Sequence, residues 1–267
     1  MRRLLLLLLL ATGAAAAEAQ TGFAYYDLDR LYDTIPSPFY NDTDYTPEGR
    51  YHWDTARYRR KIDAAAAVID SLGLPLVALW GVENEAVVRD IAAACAGDYV
   101  YLHRTLNSLD GMDFALLYHG DRFRPLRSYP RRRTLCIEGV LQRDTVVLLL
   151  TADPQTAALQ IESCQDDFPD RPVIAAGRLE KVDPARFGLV DRLAPAARKG
   201  YGSRRRTGGW QMRDRIFTSP ALGIRPGQVY IRRFLLDPDS GEPLPTLDRQ
   251  RYRGGPGPNL PVWCQIE

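Results

Sequence analysis

Histidine is scarce in this sequence, and other marks of familiar metal or nucleic-acid sites are missing. The chain has 267 residues and three histidines, His52, His103 and His119, which leave little material for an imidazole-based metal centre and which we interpret as surface or structural residues. The four cysteines include no C-x-x-C pair, which argues against a cysteine-based zinc site. A net charge of +2 disfavours a nucleic-acid binder that depends on overall charge.

What is present is typical of a folded globular domain. The composition is 45% hydrophobic and 25% charged, which excludes a mostly disordered chain. No segment beyond the N-terminus is apolar enough to cross a membrane. No repeat and no linker divides residues 20–267, so we expect a single domain there.

Residues 1–19 have the pattern of a secretory signal peptide. Arg2 and Arg3 precede an apolar run over residues 4–10, and Ala17-Glu18-Ala19 fits the cleavage rule. The apolar run is too short to span a bilayer. We therefore predict an exported protein, secreted or periplasmic, whose mature chain begins at Gln20.

Export leaves two interpretations of the cysteines open. Cys95, Cys136, Cys164 and Cys264 all lie in the mature chain. In an oxidising compartment they could form two disulfides, with three connectivities that the sequence does not separate. They could equally be buried free thiols.

The pattern of apolar residues predicts an α+β domain. Recurrence at three- and four-residue spacing predicts helices over residues 55–72, 85–96 and 156–166. Short β-rich runs outnumber them and come partly as hairpins, which favours layered sheets with helices outside. The predicted strands cover residues 22–28, 76–80, 99–105, 113–118, 134–142, 145–151, 173–176, 216–218, 229–236 and 260–266.

Four stretches, in order along the chain, resemble the motifs of one family. The first runs from Asp44-Tyr45-Thr46-Pro47-Glu48-Gly49 to Val82-Glu83-Asn84, and the second is residues 113–118. The others are residues 202–219 and the segment from Tyr252 to Leu260-Pro261-Val262. They are similar to secreted bacterial endonuclease/exonuclease/phosphatase proteins.

That resemblance implies both a fold and a chemistry. The fold is the DNase-I-like four-layered α/β sandwich, in which two packed mixed β-sheets are flanked by helices. The family's chemistry is hydrolysis of phosphate esters, with an Asn and a Glu on a divalent metal, usually magnesium. Two His and several Asp or Asn residues position the phosphate and activate water.

The scaffold motifs match the family, but most of the chemical residues between them do not. Asp214 is the one that remains in place. The metal-side Asn is replaced by Asp27 and the metal-side Glu by Gly81, which has no ligand atom. The other replacements are Ala152 and Asn259 for the two His, Arg178 and Glu180 for the Asp and Asn of one motif, and Pro258 for the Asp beside the second His.

The resemblance therefore predicts a catalytically degenerate family member with a non-enzymatic binding or scaffold role and no cofactor. Asp27, Glu180 and Asp214 would then be vestiges of the old site. The alternative is an active, magnesium-dependent phosphodiesterase or endonuclease with these three carboxylates as rearranged ligands, which Glu83 and Asp113 could join. Arg178 counts against it, because a guanidinium at the metal position repels a divalent ion.

Arginines supply the remaining candidate for chemistry. Arg178, Arg204, Arg205 and Arg206 are expected to form an anion-binding pocket, because arginine forks suit phosphate and carboxylate groups. We interpret residues 131–133 instead as a solvated surface. The expected partner is a phosphate-containing or other anionic ligand. Nothing in the sequence supports nucleic acid in particular, and no protein partner is indicated.

Overall fold

The computed structural model describes residues 21–106, 108–131 and 133–267. The predicted signal peptide lies outside these residues. Within them the chain builds two six-stranded mixed sheets. None of the helices found there is both long and apolar enough to span a bilayer.

The first sheet and its helices come mainly from the first half of the chain. Its strands and helices are β1 (Gly22–Leu31), α1 (Thr55–Leu72), β2 (Leu76–Val82), α2 (Glu85–Ala94), β3 (Val100–Arg104), β4 (Asp113–Tyr118), β13 (Gln228–Val229) and β16 (Val262–Gln265). The strands lie in the order β13-β16-β1-β2-β4-β3. β1 and β2 are parallel, and the other pairings in this sheet are antiparallel.

The second sheet and its helices come from the middle of the chain. Its elements are β5 (Phe123–Arg131), β6 (Thr134–Leu141), β7 (Asp144–Thr151), α3 (Ala157–Asp167), β8 (Val173–Arg178), β9 (Val190–Asp191), α4 (Ala194–Arg198) and β12 (Asp214–Thr218). The strands lie in the order β5-β6-β7-β8-β12-β9, and β7 and β8 are the parallel pair. Two small hairpins stand outside the sheets, formed by β10 (Arg204–Arg206) with β11 (Gly209–Gln211) and by β14 (Leu247–Asp248) with β15 (Arg251–Tyr252).

Three apolar clusters separate four layers. The largest lies between the two sheets, where Tyr25 and Phe114 of the first meet Leu148 and Ile216 of the second. A second cluster packs α1 and α2 on the outside of the first sheet, and a third packs α3 on the outside of the second. This is the predicted sandwich of two mixed sheets between helices, and it buries apolar surface on both faces of each sheet.

Most predicted elements are present, with shifts at their ends. The helix at residues 55–72 begins after Asp54, whose side chain accepts a hydrogen bond from Arg57 N, and ends at Gly73 in a left-handed conformation. One strand prediction is wrong over most of its length. Of residues 229–236, only Val229 is in a strand, and Arg233–Leu235 form a 3-10 turn.

All four cysteines are free thiols, which is the second of the two interpretations open from the sequence. Cys136 on β6 and Cys164 on α3 meet in the outer cluster of the second sheet. Contact between the two thiols lowers the pKa of Cys136 and, with burial, raises that of Cys164. Cys264 is buried between the sheets.

Candidate functional site

A polar cavity of about 260 Å³ lies where the two sheets end together. The carboxyl ends of the parallel pairs β1–β2 and β7–β8 point to it, which is where α/β proteins commonly bind ligands. Both sheets, the loop before β4 and the β10–β11 hairpin supply its walls. The lining residues are Asp27, Asp29, Arg30, Trp80, Asp110, Met112, Arg133, Ala152, Arg178, Arg204, Arg206 and Arg213.

Six arginines and three aspartates give this cavity a positive balance. Two of the arginines are paired: Arg133 lies 3.2 Å from Asp110, and Arg178 donates through Nε to Glu180 at 3.0 Å. The other four have no ion pair with any described carboxylate. They are Arg30, Arg204, Arg206 and Arg213.

Two buried carboxylates lie beside the arginines. Asp27 is 7% exposed and its Oδ1 accepts a hydrogen bond from Asp29 N at 2.9 Å. Burial, reinforced by the charge of Asp214, raises the pKa of Asp27 to about 7. Burial also raises the pKa of Asp214, against the opposing effect of Arg213, and Asp214 Oδ1 has no hydrogen-bond partner. A partly protonated Asp27 leaves the cavity more positive than a count of formal charges indicates.

The wall formed by β1 depends on an irregular turn of the strand. Between Asp27 and Leu31 the register with β2 shifts, and Asp29 and Arg30 both take positive φ values, 51° and 64°. Lys61, only 3% exposed, lies beneath them and donates from Nζ to both carbonyl oxygens, at 3.2 and 3.1 Å. This bulge directs the Arg30 side chain into the cavity.

Gly81 of β2 accommodates that bulge. Its φ is +85°, and a Cβ built on it would lie 3.1 Å from Arg30 N. A side chain here would be strained by the backbone conformation and crowded by the neighbouring strand. In the family that the sequence resembles, this position carries a metal-binding Glu. In this chain the backbone of the neighbouring strand takes up the space that such a side chain would need.

The hairpin places two of its three arginines in the cavity. Arg204 and Arg206 lie on the same side of β10, and Arg204 also donates to Asn259 Oδ1 at 3.0 Å. Arg205 does not line the cavity, which corrects the sequence prediction. Because side chains alternate along a strand, it faces the other way, donates to Glu242 Oε1 at 3.2 Å and lies over Trp210.

The predicted alternative metal ligands do not come together. Glu180 is engaged with Arg178, Glu83 accepts from the Tyr40 hydroxyl at 2.9 Å, and Asp113 contacts His103 at 3.0 Å. Among the described residues, no group of three or more His, Cys, Asp or Glu side chains is arranged to hold a metal ion. Asp27 and Asp214 remain close, but a hard cation needs more oxygens than these two supply, and Arg178 and Arg213 are their neighbours.

Sequence reasoning missed several residues of the cavity. The interpretation of residues 131–133 as a solvated surface does not hold for Arg133, whose guanidinium lies 5.1 Å from the Trp80 ring centroid and lines the cavity. Arg131 of the same run does lie on the surface, paired with Asp167, and residue 132 lies outside the described residues.

Proximity to motif residues could have identified Arg30 and Arg213, which are close in sequence to Asp27 and Asp214. Asp29 and Asp110 were also missed.

Residues 22–148, just under half of the chain, match the model of the endonuclease/exonuclease/phosphatase family. No curated protein matches the sequence. Solved structures match over nearly the whole chain at low identity, and so they show the fold. An endonuclease/exonuclease/phosphatase from Bacteroides vulgatus has 12% identity and a TM-score of 0.59, covering 93% of this chain and 98% of that one.

Two of the similar structures have names that state a substrate or ligand. The mannosyl-6-phosphatase of Bacteroides thetaiotaomicron is 13% identical, with a TM-score of 0.56 and coverage of 93% of this chain and all of the other. TDP2 of D. rerio, solved with a single-strand DNA product, is 13% identical, with a TM-score of 0.58 and coverage of 94% and 100%.

Proposed function

We propose that this chain, which carries an endonuclease/exonuclease/phosphatase family match over residues 22–148, is a non-enzymatic protein that binds a phosphate-containing or similar anion. The observation that carries the proposal is the arginine-lined cavity at the joint end of the two sheets. Four of its six arginines form no ion pair with a described carboxylate.

Electrostatics favours an anion in this cavity. Arginines held close together repel one another, and partial burial strengthens that repulsion because less water screens it. Burial and the nearby Arg213 lower the pKa of Arg204, as expected for a guanidinium with no ion-paired carboxylate among the described residues. An anion with several oxygens relieves this by accepting hydrogen bonds from more than one guanidinium.

The same residues do not support hydrolysis. The positions of the two family His are held by Ala152, which lines the cavity, and by Asn259, whose amide contacts Arg204 and the Asp27 carbonyl. Neither residue can act as a general base near pH 7. The metal ligands of the family are also not reproduced, because Gly81 has no side chain and Arg178 occupies a metal-side position.

Two further points support the ligand class and the place of action. The similar mannosyl-6-phosphatase is named for a phosphate ester, and the TDP2 structure holds DNA, so phosphate is the group common to both. The predicted signal peptide supports export, and we propose that the mature protein acts outside the cytoplasm from Gln20 onward.

The test is ligand-dependent stabilisation measured on a matched pair of variants. Sulfate is the probe, because it remains a dianion across the working pH range, and inorganic phosphate is a second probe. Saturating sulfate at 100 times its Kd should stabilise the protein by about 2.7 kcal/mol and raise Tm accordingly. Arg206→Gln should lose most of that rise, while Arg205→Gln, on the same strand but facing away, should retain it.

Hydrolysis is assayed in parallel with bis-nitrophenyl phosphate and plasmid DNA, each with magnesium and with manganese. We expect no turnover. Turnover that disappears in Asp214→Ala would overturn the non-enzymatic proposal. An equal sulfate response in Arg205→Gln and Arg206→Gln would overturn the assignment of the cavity as the anion site.

A further inference from the structure

The most exposed large apolar side chains of the described residues belong to two loops. Leu109 is 95% exposed, Phe39 89% and Ile35 72%. Ile35 and Phe39 lie between β1 and α1, and Leu109 lies between β3 and β4. We call these three residues the apolar tips.

The two loops are in contact with each other. The Tyr32 hydroxyl, at the start of the first loop, donates to the Asp110 carbonyl at 2.7 Å. Gly111 packs so closely on the Tyr40 ring that a Cβ there would lie 2.4 Å from it. Phe39 and Leu109 are the chain neighbours of Tyr40 and Asp110, so two of the apolar tips belong to loops that touch each other.

The loop that carries Leu109 also borders the arginine cavity. Asp110 and Met112 line that cavity and continue the loop of Leu109. Arg133 lines it too, and also borders a second cavity of about 580 Å³ beside Leu106, Leu109 and Pro130. Of the carboxylates near the tips, Asp110 pairs with Arg133, whereas Asp33 accepts hydrogen bonds from Ile35 N and Asn84 and keeps its negative charge.

We propose that this end of the molecule docks on an anionic lipid bilayer. The apolar tips enter the interface, and the arginine cavity faces the lipid phosphates. Single projecting apolar side chains next to cationic ones suit a bilayer surface, which offers an apolar interior beneath a layer of negative charge. A protein partner would have to match the tips with separate apolar pockets. The role of the cavity rests on the proposed anion binding, whereas the role of the tips does not.

Sedimentation with vesicles tests the proposal. The full mature chain is mixed with vesicles of phosphatidylglycerol and phosphatidylcholine in equal parts, and with phosphatidylcholine alone. We expect binding to the mixed vesicles at least tenfold stronger than to the neutral ones, weakening as salt is added. Ile35→Ser/Phe39→Ser/Leu109→Ser should bind the mixed vesicles at least tenfold more weakly than wild type.

Controls separate this proposal from the previous one. Leu159→Ser removes a 63% exposed leucine from α3, on the outside of the second sheet, and should bind vesicles like wild type. The triple variant should keep the full sulfate-dependent rise in Tm, because the tips lie outside the cavity. Arg206→Gln should lose both the sulfate response and part of the vesicle binding.

Three outcomes would overturn the docking proposal. The first is no vesicle binding by a wild-type protein that responds to sulfate, which would leave the anion site intact. The second is equal binding by the triple variant and Leu159→Ser. The third is self-association of the wild type in light scattering that the triple variant abolishes, without vesicle binding, since the tips would then cover a second copy of the chain.

Discussion

Replacing Asp27 with Asn should make the protein more stable at neutral pH and remove part of its pH dependence. Asn has the same shape and keeps an acceptor oxygen for Asp29 N, so the local hydrogen bond survives. What disappears is the cost of ionising a carboxyl that is buried and close to Asp214. The variant isolates that cost.

The magnitude follows from the pKa of Asp27, which burial raises from 3.8 to about 7. A group whose pKa is raised on folding binds its proton more tightly in the folded state. The stabilisation that the folded state gains by binding this proton is therefore complete below pH 3.8 and declines as the pH rises to about 7. A rise of this size is worth about 4 kcal/mol, at roughly 1.4 kcal/mol for each tenfold change in proton affinity.

Urea unfolding of wild type and Asp27→Asn at pH 4 and pH 8 measures the effect. The two proteins should differ little at pH 4, and the variant should be more stable by up to about 4 kcal/mol at pH 8. Wild-type sulfate affinity should fall as the pH rises through 7, while that of the variant should change less. Asp63→Asn, at an exposed position on α1, is the control. A stability difference that is the same at both pH values would refute the reasoning.

Three other predictions follow from the wall of the cavity and from the N-terminus. Gly81→Glu should lower the free energy of unfolding, measured with urea, by about 1–3 kcal/mol, because residue 81 has a positive φ. This variant should restore no hydrolysis. The control Gly120→Glu should leave the stability nearly unchanged, because the space around its Cβ is open. Burial lowers the pKa of Lys61 from 10.5 to about 8. The free energy of unfolding of the wild type should therefore rise by about 3 kcal/mol as the pH increases from about 8 to 10.5. Lys61→Met should not show that rise. Mass spectrometry of exported protein should find Gln20 at the N-terminus, and retention of Met1 would contradict export by cleavage.

The regular parts of the fold could be predicted because local chemistry determines them. The helix α1 has an apolar stripe at helical spacing, a capping Asp54 and a terminating Gly73, and its predicted bounds are correct. The edge strand β5 was missed because Pro125 and Pro130 interrupt its pattern. Proline is tolerated there, since an edge strand has one row of backbone groups that pair with no neighbour.

The candidate site was predictable only in part. Asp27, Asp214, Arg178, Arg204 and Arg206 could be placed from motifs that lie near them in the sequence. Whether Arg205 faces the cavity depends on which way the side chains alternate along a three-residue strand. The sequence does not indicate this direction, because all three residues of the strand are arginines. The bulge that brings Arg30 to the site depends on a buried lysine about thirty residues away in sequence, a contact that local patterns cannot show.

The cavity draws its arginines from two sheets that otherwise meet through apolar side chains. Arg30 belongs to the first sheet, and Arg213 directly precedes β12 of the second. Without a counter-charge these groups push the ends of the sheets apart, so this end of the sandwich should separate more readily than the middle. An anion bound by both arginines would replace the repulsion with attraction and hold the ends of the two sheets together. With the anion bound, the backbone amides at the ends of β1 and β8 would exchange their hydrogens with solvent more slowly, and the exchange at the two strand ends would slow to the same extent.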